Sequence, residues 1–316
     1  AAAPGLRTRS RGARSPGSPL LHPSTDRWTM SNFAQQVANG LGVGALYVLV
    51  AIGVTLIFGV SRLVNFAQGM FLLLGSYLSY TLVAAGVPFW AAVVPVTLAV
   101  GLFGVAVDRG FLRFTLDKPM NGFIVTLGLT IALEGLFTVI WSPEQRRISS
   151  PVSGTTEILG ARLPSERILT FAIAAGGVVA LYWILNRTDL GRSMRAASEN
   201  REAAALVGVR VGRSISWAFF LGACLAGLAG AFMATLFPFT PYSATPFVIK
   251  GLAVAVIAGL GHVWGALIVG LGLGLAEALG GAYGIGAEWQ NGYAYLAMVL
   301  LLLWRPAGLF GGNRAY

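Results

Sequence analysis

The sequence predicts an all-α integral membrane protein, a polytopic helical bundle of eight or nine spans with broken or re-entrant helices in its C-terminal half. Three observations predict it. Of 316 residues, 56% are hydrophobic and only 11% charged, with a mean hydropathy of +0.73, an apolar excess for which a soluble domain of this length has no use. The apolar residues fall in segments of 18 to 23 residues over the first 237 positions, each long enough to cross roughly 30 Å of hydrocarbon. Forty-two glycines stand against one cysteine, Cys224, which implies closely packed helices and leaves no basis for disulfides or a thiolate metal site. The formal charge of +10 comes from residues placed in loops, so nucleic acid is not an expected partner and the lipid bilayer is.

Residues 1–29 are rich in Ala, Pro, Gly, Ser and Arg without an apolar core. They are expected to be a disordered extension, outside a transmembrane domain covering 30–316, with Met30 as the natural start. Their positive charges precede no uninterrupted apolar run, so they do not form a signal peptide. The spans follow in order as Leu41 to Phe58, Phe66 to Gly86, Phe89 to Val107, Gly122 to Trp141, Ile168 to Leu185 and Ile215 to Phe237. The first two are joined by a short hairpin with Arg62 at its tip. Beyond Pro246 the pattern loosens into Phe247 to Leu260, a glycine-rich Val263 to Tyr283, and a short Tyr293 to Trp304. Interrupted apolar pieces at membrane depth are tolerated where protein or a water-filled cavity satisfies the backbone, which makes this half a candidate pathway lining.

Lysine and arginine counts orient the chain. With the 186–214 loop in the cytoplasm, alternation places twelve basic residues inside (Arg62; Arg109, Arg113 and Lys118; six loop arginines; Arg305 and Arg314) and five outside, namely Arg146, Arg147, Arg162, Arg167 and Lys250 near a helix end. The N-terminus of the domain then lies outside. The sixth span carries two small-residue ladders at four-residue spacing, Gly222, Ala226, Gly230 and Ala223, Gly227, Ala231, which allow helices to approach to backbone contact.

Polar residues within apolar segments form a second group of candidates for a translocation pathway: Tyr47, Thr55, Asn65, Gln68, Glu134 and Glu277. Intramembrane carboxylates are costly and face protein or water. Glu134 and Glu277 therefore read either as pathway or proton-relay groups or as structural, hydrogen-bonded ones. For Asn65 and Gln68, capping and hairpin closure rank above substrate contact. His262, between two glycines and without Cys or acidic neighbours, reads as a turn residue, and no metal site is expected.

The longest polar interval, Arg187 to Arg213, holds six arginines. Its middle predicts a short helix capped by Ser198, with Glu199 and Glu202 in the first turn and Gly208 as the stop. Ala203, Leu206 and Val207 fall at i, i+3 and i+4, giving a small apolar ridge beside the charges, the shape of a plug for another protein's groove. Glu202-Ala-Ala-Ala-Leu-Val-Gly208 resembles the start of the EAA signature of ABC importer membrane subunits. Its surroundings resemble the branched-chain amino acid permease family of LivH type over nearly the whole chain from Met30. The matching stretches begin at Gly44 (GALYVLVAIGVTLIFGV), Val64 (VNFAQG), Arg195 (RAASEN), Gly259 (GLGHVWGA) and Arg305 (RPAGLFG). The wider EAA pattern ends in Ile-x-Leu-Pro, which this chain lacks after Gly208.

The resemblance implies a permease subunit of an ATP-driven importer for leucine, isoleucine and valine in a bacterial inner membrane. It pairs with itself or a sister permease, docks two ABC ATPase subunits at the 187–213 loop through Arg195, Glu199, Asn200, Glu202, Ala203, Leu206 and Gly208, and receives substrate from an extracytoplasmic binding protein. No phosphate loop of the Gly-x-x-x-x-Gly-Lys-Ser/Thr kind occurs. ATP and Mg therefore belong to the partner subunits, and this chain is expected to have no catalytic residues and no cofactor. A permease for urea or short amides is the nearest alternative, and a proton-coupled secondary transporter using Glu134 and Glu277 is the alternative of another class.

Overall fold

The computed structural model describes residues 25–116, 119–152, 154–158, 161–284, 289–305 and 308–310. The chain forms eleven described α-helices in this order: α1 (Thr25–Ser61), α2 (Gln68–Ala84), α3 (Phe89–Val107), α4 (Pro119–Trp141), α5 (Ser165–Arg187), α6 (Asp189–Glu199), α7 (Arg201–Leu206), α8 (Val211–Leu236), α9 (Ala244–Ala258), α10 (Val263–Tyr283) and α11 (Gln290–Trp304). Among the described residues six helices are long and apolar enough to cross a membrane, namely α1, α3, α4, α5, α8 and α10, while α2, α9 and α11 are shorter and apolar. The helical membrane architecture is as expected, and α3 and α10 have the expected ends.

Two expectations are corrected, for residues 25–29 and for Lys250. Residues 25–29 are not an unstructured extension but the first turns of α1, because no proline or glycine interrupts the chain between Pro23 and Gly40; residues 1–24 lie outside the described set. The loop between α4 and α5 adds one small element to this all-helical architecture, a two-stranded antiparallel hairpin in which β1 (Thr155–Ile158) and β2 (Ala161–Pro164) pair Thr155 with Pro164 and Ile158 with Ala161. Lys250 is not near a helix end beside the outer loops but mid-way along α9, 3% exposed.

Burial sorts the helices into centre and periphery. In the most apolar stretch of α1, 83% of residues are buried, and in α8 78%, against 17% for α4 and 22% for α5. Helix α1 packs on α10, α8, α5 and α9, and α8 packs on α2, α3 and α1. The outward faces of α4 and α5 carry large exposed apolar groups such as Ile131, Val139, Val179 and Trp183, the surface that hydrocarbon rather than water would cover.

Glycine makes the central seams possible. A Cβ on Gly230 would collide with the Leu72 carbonyl of α2, and one on Gly75 with the backbone of Gly227, so α2 and α8 meet main chain to main chain. Ser76 Oγ crosses this seam to donate to the Gly230 carbonyl at 2.8 Å. Gly40, Gly44, Gly270 and Gly274 bring α1 and α10 together in the same way. All six ladder residues of α8 are buried. At the end of α3 the helix widens into a π turn (Asp108–Leu112), and Asp108 Oδ2 accepts a 2.6 Å hydrogen bond from Ser216 Oγ of α8. The segment after α4 is tied back to the bundle by reciprocal 2.9 Å backbone bonds between Arg146 and Phe239, and by Arg146 Nη1 donating to Tyr80 Oη at 2.9 Å.

Candidate functional site: a loop platform and two cavities

Thr188 begins the arginine loop: its Oγ1 accepts from Gly191 N at 3.2 Å and caps α6. Two short helices rather than one follow. Ser198 lies inside α6 and does not cap the next helix; its Oγ donates to the Arg195 carbonyl at 2.7 Å. Asn200 is the cap. Its backbone is extended (φ −151°, ψ 112°) and its Oδ1 accepts from Ala203 N at 3.0 Å. Glu199 is therefore the last residue of α6, and Glu202 alone keeps its place in the first turn of α7. Serine and asparagine are both good caps, so composition does not choose between them; the extended backbone at position 200 does. Gly208 ends the unit at φ +86°, a left-handed conformation that glycine adopts without penalty.

One face of this pair of helices is seated and the other is bare. Met194, Ala197 and Ala204 are buried, whereas Ala203, Glu202 and Glu199 are exposed. Leu206 is 89% and Val207 78% exposed. The ridge expected from the sequence is present and uncovered. The platform is held on the α1–α2 hairpin by two arginines pointing in opposite directions: Arg62 Nη2 donates to the Ser198 carbonyl at 2.8 Å, and Arg201 Nη2 donates to the Val60 carbonyl at 3.0 Å. Arg62 itself has φ +54°, so the hairpin tip is bent to reach the loop. Arg195 donates to the Leu185 carbonyl and to Asn186 Oδ1, tying α6 to the end of α5.

Behind the platform lies a cavity of about 510 Å³ lined by Thr55, Gly59 and Arg62 of the α1 side, Arg195 and Glu199 of α6, and the turn Gly259–His262 between α9 and α10. Thr55 Oγ1 is buried in its wall with no hydrogen-bond partner. His262 is a turn residue as expected, its N–H bonded to the Gly259 carbonyl at 3.0 Å.

At the opposite end of the bundle a second cavity of about 550 Å³ opens among α1, α8, α9, α10 and α11. Four helices converge on its charged floor. Lys250 Nζ of α9 donates to Glu277 Oε1 of α10 at 2.6 Å, to Asn291 Oδ1 of α11 at 2.7 Å and to Tyr47 Oη of α1 at 3.0 Å. Tyr47 Oη donates in turn to Glu277 Oε2 at 2.8 Å. Lys250, Glu277 and Tyr47 are each at most 4% exposed, so this is a buried ion pair with every donor and both carboxylate oxygens engaged. Phe247 packs on Tyr47 with ring centroids 5.8 Å apart, and Val43, Met233 and Phe237 complete an apolar wall. At the rim Arg167 Nη1 donates to the Asn39 carbonyl at 3.3 Å.

The structure thus brings Tyr47 and Glu277 together at one cavity and Thr55 to the other. Asn65 and Gln68 line neither. Asn65 Oδ1 accepts from Ala67 N at 3.1 Å within the hairpin, and Gln68 Nε2 donates to the Gly222 carbonyl of α8 at 3.0 Å. Glu134 sits half-buried on peripheral α4 and lines neither cavity. Sequence reasoning missed Lys250, Asn291 and Arg167 as site residues. For Lys250 a signal existed: a lysine flanked on both sides by apolar helix is as costly there as a carboxylate, and one of the carboxylates was its partner.

The family model described as "Branched-chain amino acid transport system / permease component" matches residues 36–303. Among curated proteins the chain is 28% identical to the high-affinity branched-chain amino acid transport system permease protein LivH of Escherichia coli K12, covering 88% of this chain and 96% of that one. It is 30% identical to BraD of Pseudomonas aeruginosa, a permease protein of the same description, covering 89% and 96%. A probable LivH of Methanocaldococcus jannaschii is 27% identical over 84% and 89%. No solved structure matches the chain. With a family model spanning most of its length and relatives matched nearly end to end, this multi-pass membrane protein belongs to the family of permease components of branched-chain amino acid transport systems.

Proposed function

We propose that this chain is the transmembrane permease subunit of an ATP-driven importer in the bacterial inner membrane, carrying leucine, isoleucine and valine inward from an extracytoplasmic binding protein. The observation that carries the proposal is the uncovered Leu206–Val207 ridge on a platform clamped to α1 by Arg62 and Arg201. A solvated loop has no need of a rigid apolar ridge, whereas an ATPase subunit with a complementary groove does. Two such ATPase subunits supply ATP and Mg, and a second permease, identical or sister, completes the membrane unit.

In this reading the chain crosses the bilayer nine times, with α2, α9 and α11 as short spans and the platform in the cytoplasm. The 550 Å³ cavity then faces the binding protein and the 510 Å³ cavity faces the cytoplasm. Closure of the ATPase dimer moves α7, and the motion passes along two routes: through residues 207–210 into α8, and through the Arg62 and Arg201 clamps into α1. A proton relay is less well supported, because Glu277 is held by Lys250 and Tyr47 while Glu134 reaches neither cavity.

The test is co-expression of the full chain with the products of its neighbouring genes, then ATP hydrolysis in liposomes with and without leucine-loaded binding protein. Leucine-dependent stimulation that is lost in Leu206→Asp is the expected result. Failure to recover an ATPase subunit overturns the importer assignment; assembly that responds to urea or a short amide but not to leucine moves the substrate class.

A further inference from the structure

The Lys250–Glu277 pair is expensive to bury and gives little stability in return, since an apolar pair of similar size in the same place holds helices together as well or better. Its position gives it another use. It forms the floor of a cavity of about 550 Å³, a volume typical of small-ligand sites, and Val43, Met233, Phe237 and Phe247 give that cavity an apolar face.

We propose that this cavity is a binding site for a free zwitterionic amino acid with a branched apolar side chain, and that the ligand binds by taking the place of the ion pair. The inference deepens the transport reading above and rests on it. The α-carboxylate of the ligand accepts from Lys250 Nζ, its α-ammonium donates to Glu277, and its side chain lies against Val43, Met233, Phe237 and Phe247. One ion pair becomes two, and no charge is stranded. A lone cation entering the same site satisfies Glu277 and strands Lys250; a lone anion does the reverse; urea or an amide satisfies neither charge fully. Arg167, the third charged residue lining the cavity, sits at the rim on the Asn39 carbonyl and adds positive charge at the entrance rather than at the floor.

Exchange of partners has a mechanical corollary. Lys250 and Glu277 lie on the two arms of the α9–α10 hairpin, whose turn, Gly259–His262, lines the inner cavity beside Arg195 and Glu199 of the platform. Separating the arms at the outer end by one small molecule loads the hairpin that reaches the inner end.

The experiment uses the intact permease–ATPase assembly in lipid nanodiscs, without binding protein, and equilibrium binding of radiolabelled leucine competed by two analogues that each lack one charge. These are 3-methylbutylamine, a cation, and 4-methylpentanoate, an anion. Leucine is expected to bind with each analogue at least roughly tenfold weaker, because each leaves a buried charge unpaired. The double variant Lys250→Met with Glu277→Leu removes both charges together, so neither is orphaned. It is expected to lose leucine binding by a similar factor, its fold being checked by co-purification with the ATPase subunits. Absence of leucine binding, equal binding of an analogue, or wild-type affinity in the folded double variant overturns the assignment. Should ATP-driven leucine uptake by the complete importer persist in that case, this inference alone falls; should no ATPase associate, the transport reading falls with it.

Discussion

Lys250 has three donors and all three are used, on a carboxylate, an amide oxygen and a hydroxyl from three other helices. Such saturation makes the two single deletions more harmful than the double one. Lys250→Met leaves the Glu277 carboxyl buried with only Tyr47 to hold it, a loss of about 3–5 kcal/mol, whereas adding Glu277→Leu restores most of that stability. Thermal unfolding of the purified subunit in detergent, compared across the two singles and the double, measures the difference. Asn200 works at smaller scale. Its side chain satisfies one of the orphan amides of α7, so Asn200→Ala costs the platform about 1 kcal/mol and Asn200→Ser little, readable as faster hydrogen exchange at Ala203 in the alanine variant only. These residues also mark what could be read in advance. Glu134 and Glu277 look alike in sequence, each a carboxylate among apolar neighbours, but whether a helix ends up central or peripheral depends on packing with distant segments. Glu277 is joined to Tyr47 across 230 positions, a separation that no local pattern records.

Among the helices, legibility followed the punctuation. Helix α3 runs from the residue after Pro88 to the residue before Asp108, and α10 from Val263, just past Gly261 and His262, to Tyr283, just before Gly284, so a proline, a charge and glycines mark their ends. The arginine loop was legible as a helical, ridged unit but not as two helices, because the break at Asn200 needs no glycine or proline. The β1–β2 hairpin escaped notice because four-residue strands within a polar loop carry almost no periodicity. Glycine at the seams gives a sharp contrast between two substitutions of one kind. Gly230→Ala drives a methyl group into the Leu72 carbonyl and forces α2 and α8 apart, a loss of about 1–3 kcal/mol. Gly128→Ala on α4 meets nothing within 4 Å and is neutral or stabilising by up to about 1 kcal/mol. Unfolding midpoints of the two variants test this directly.

For the molecule as a whole, the distribution of positive charge and the placement of the platform make one topological statement, which labelling can test. In a background where Cys224, the single cysteine, is replaced by serine, a cysteine at Leu206 should react with a membrane-impermeant maleimide only in inside-out vesicles. One at Tyr242, exposed between α8 and α9, should react only in right-side-out cells. Labelling of both from the same side excludes the nine-pass arrangement. The bare ridge of α7 also bears on how long the subunit survives. In the proposed arrangement two large apolar side chains would stand in the cytoplasm, the kind of mark that proteolytic surveillance recognises in an unassembled protein, and an ATPase groove covering them would hide it. The permease would then accumulate only in proportion to its ATPase, with surplus copies cleared. In pulse-chase labelling the half-life of the chain made without its ATPase should be several-fold shorter than in the complex, and Leu206→Ser with Val207→Ser should lengthen the orphan's life. In that case the loop that receives the power stroke also sets the number of importers in the membrane.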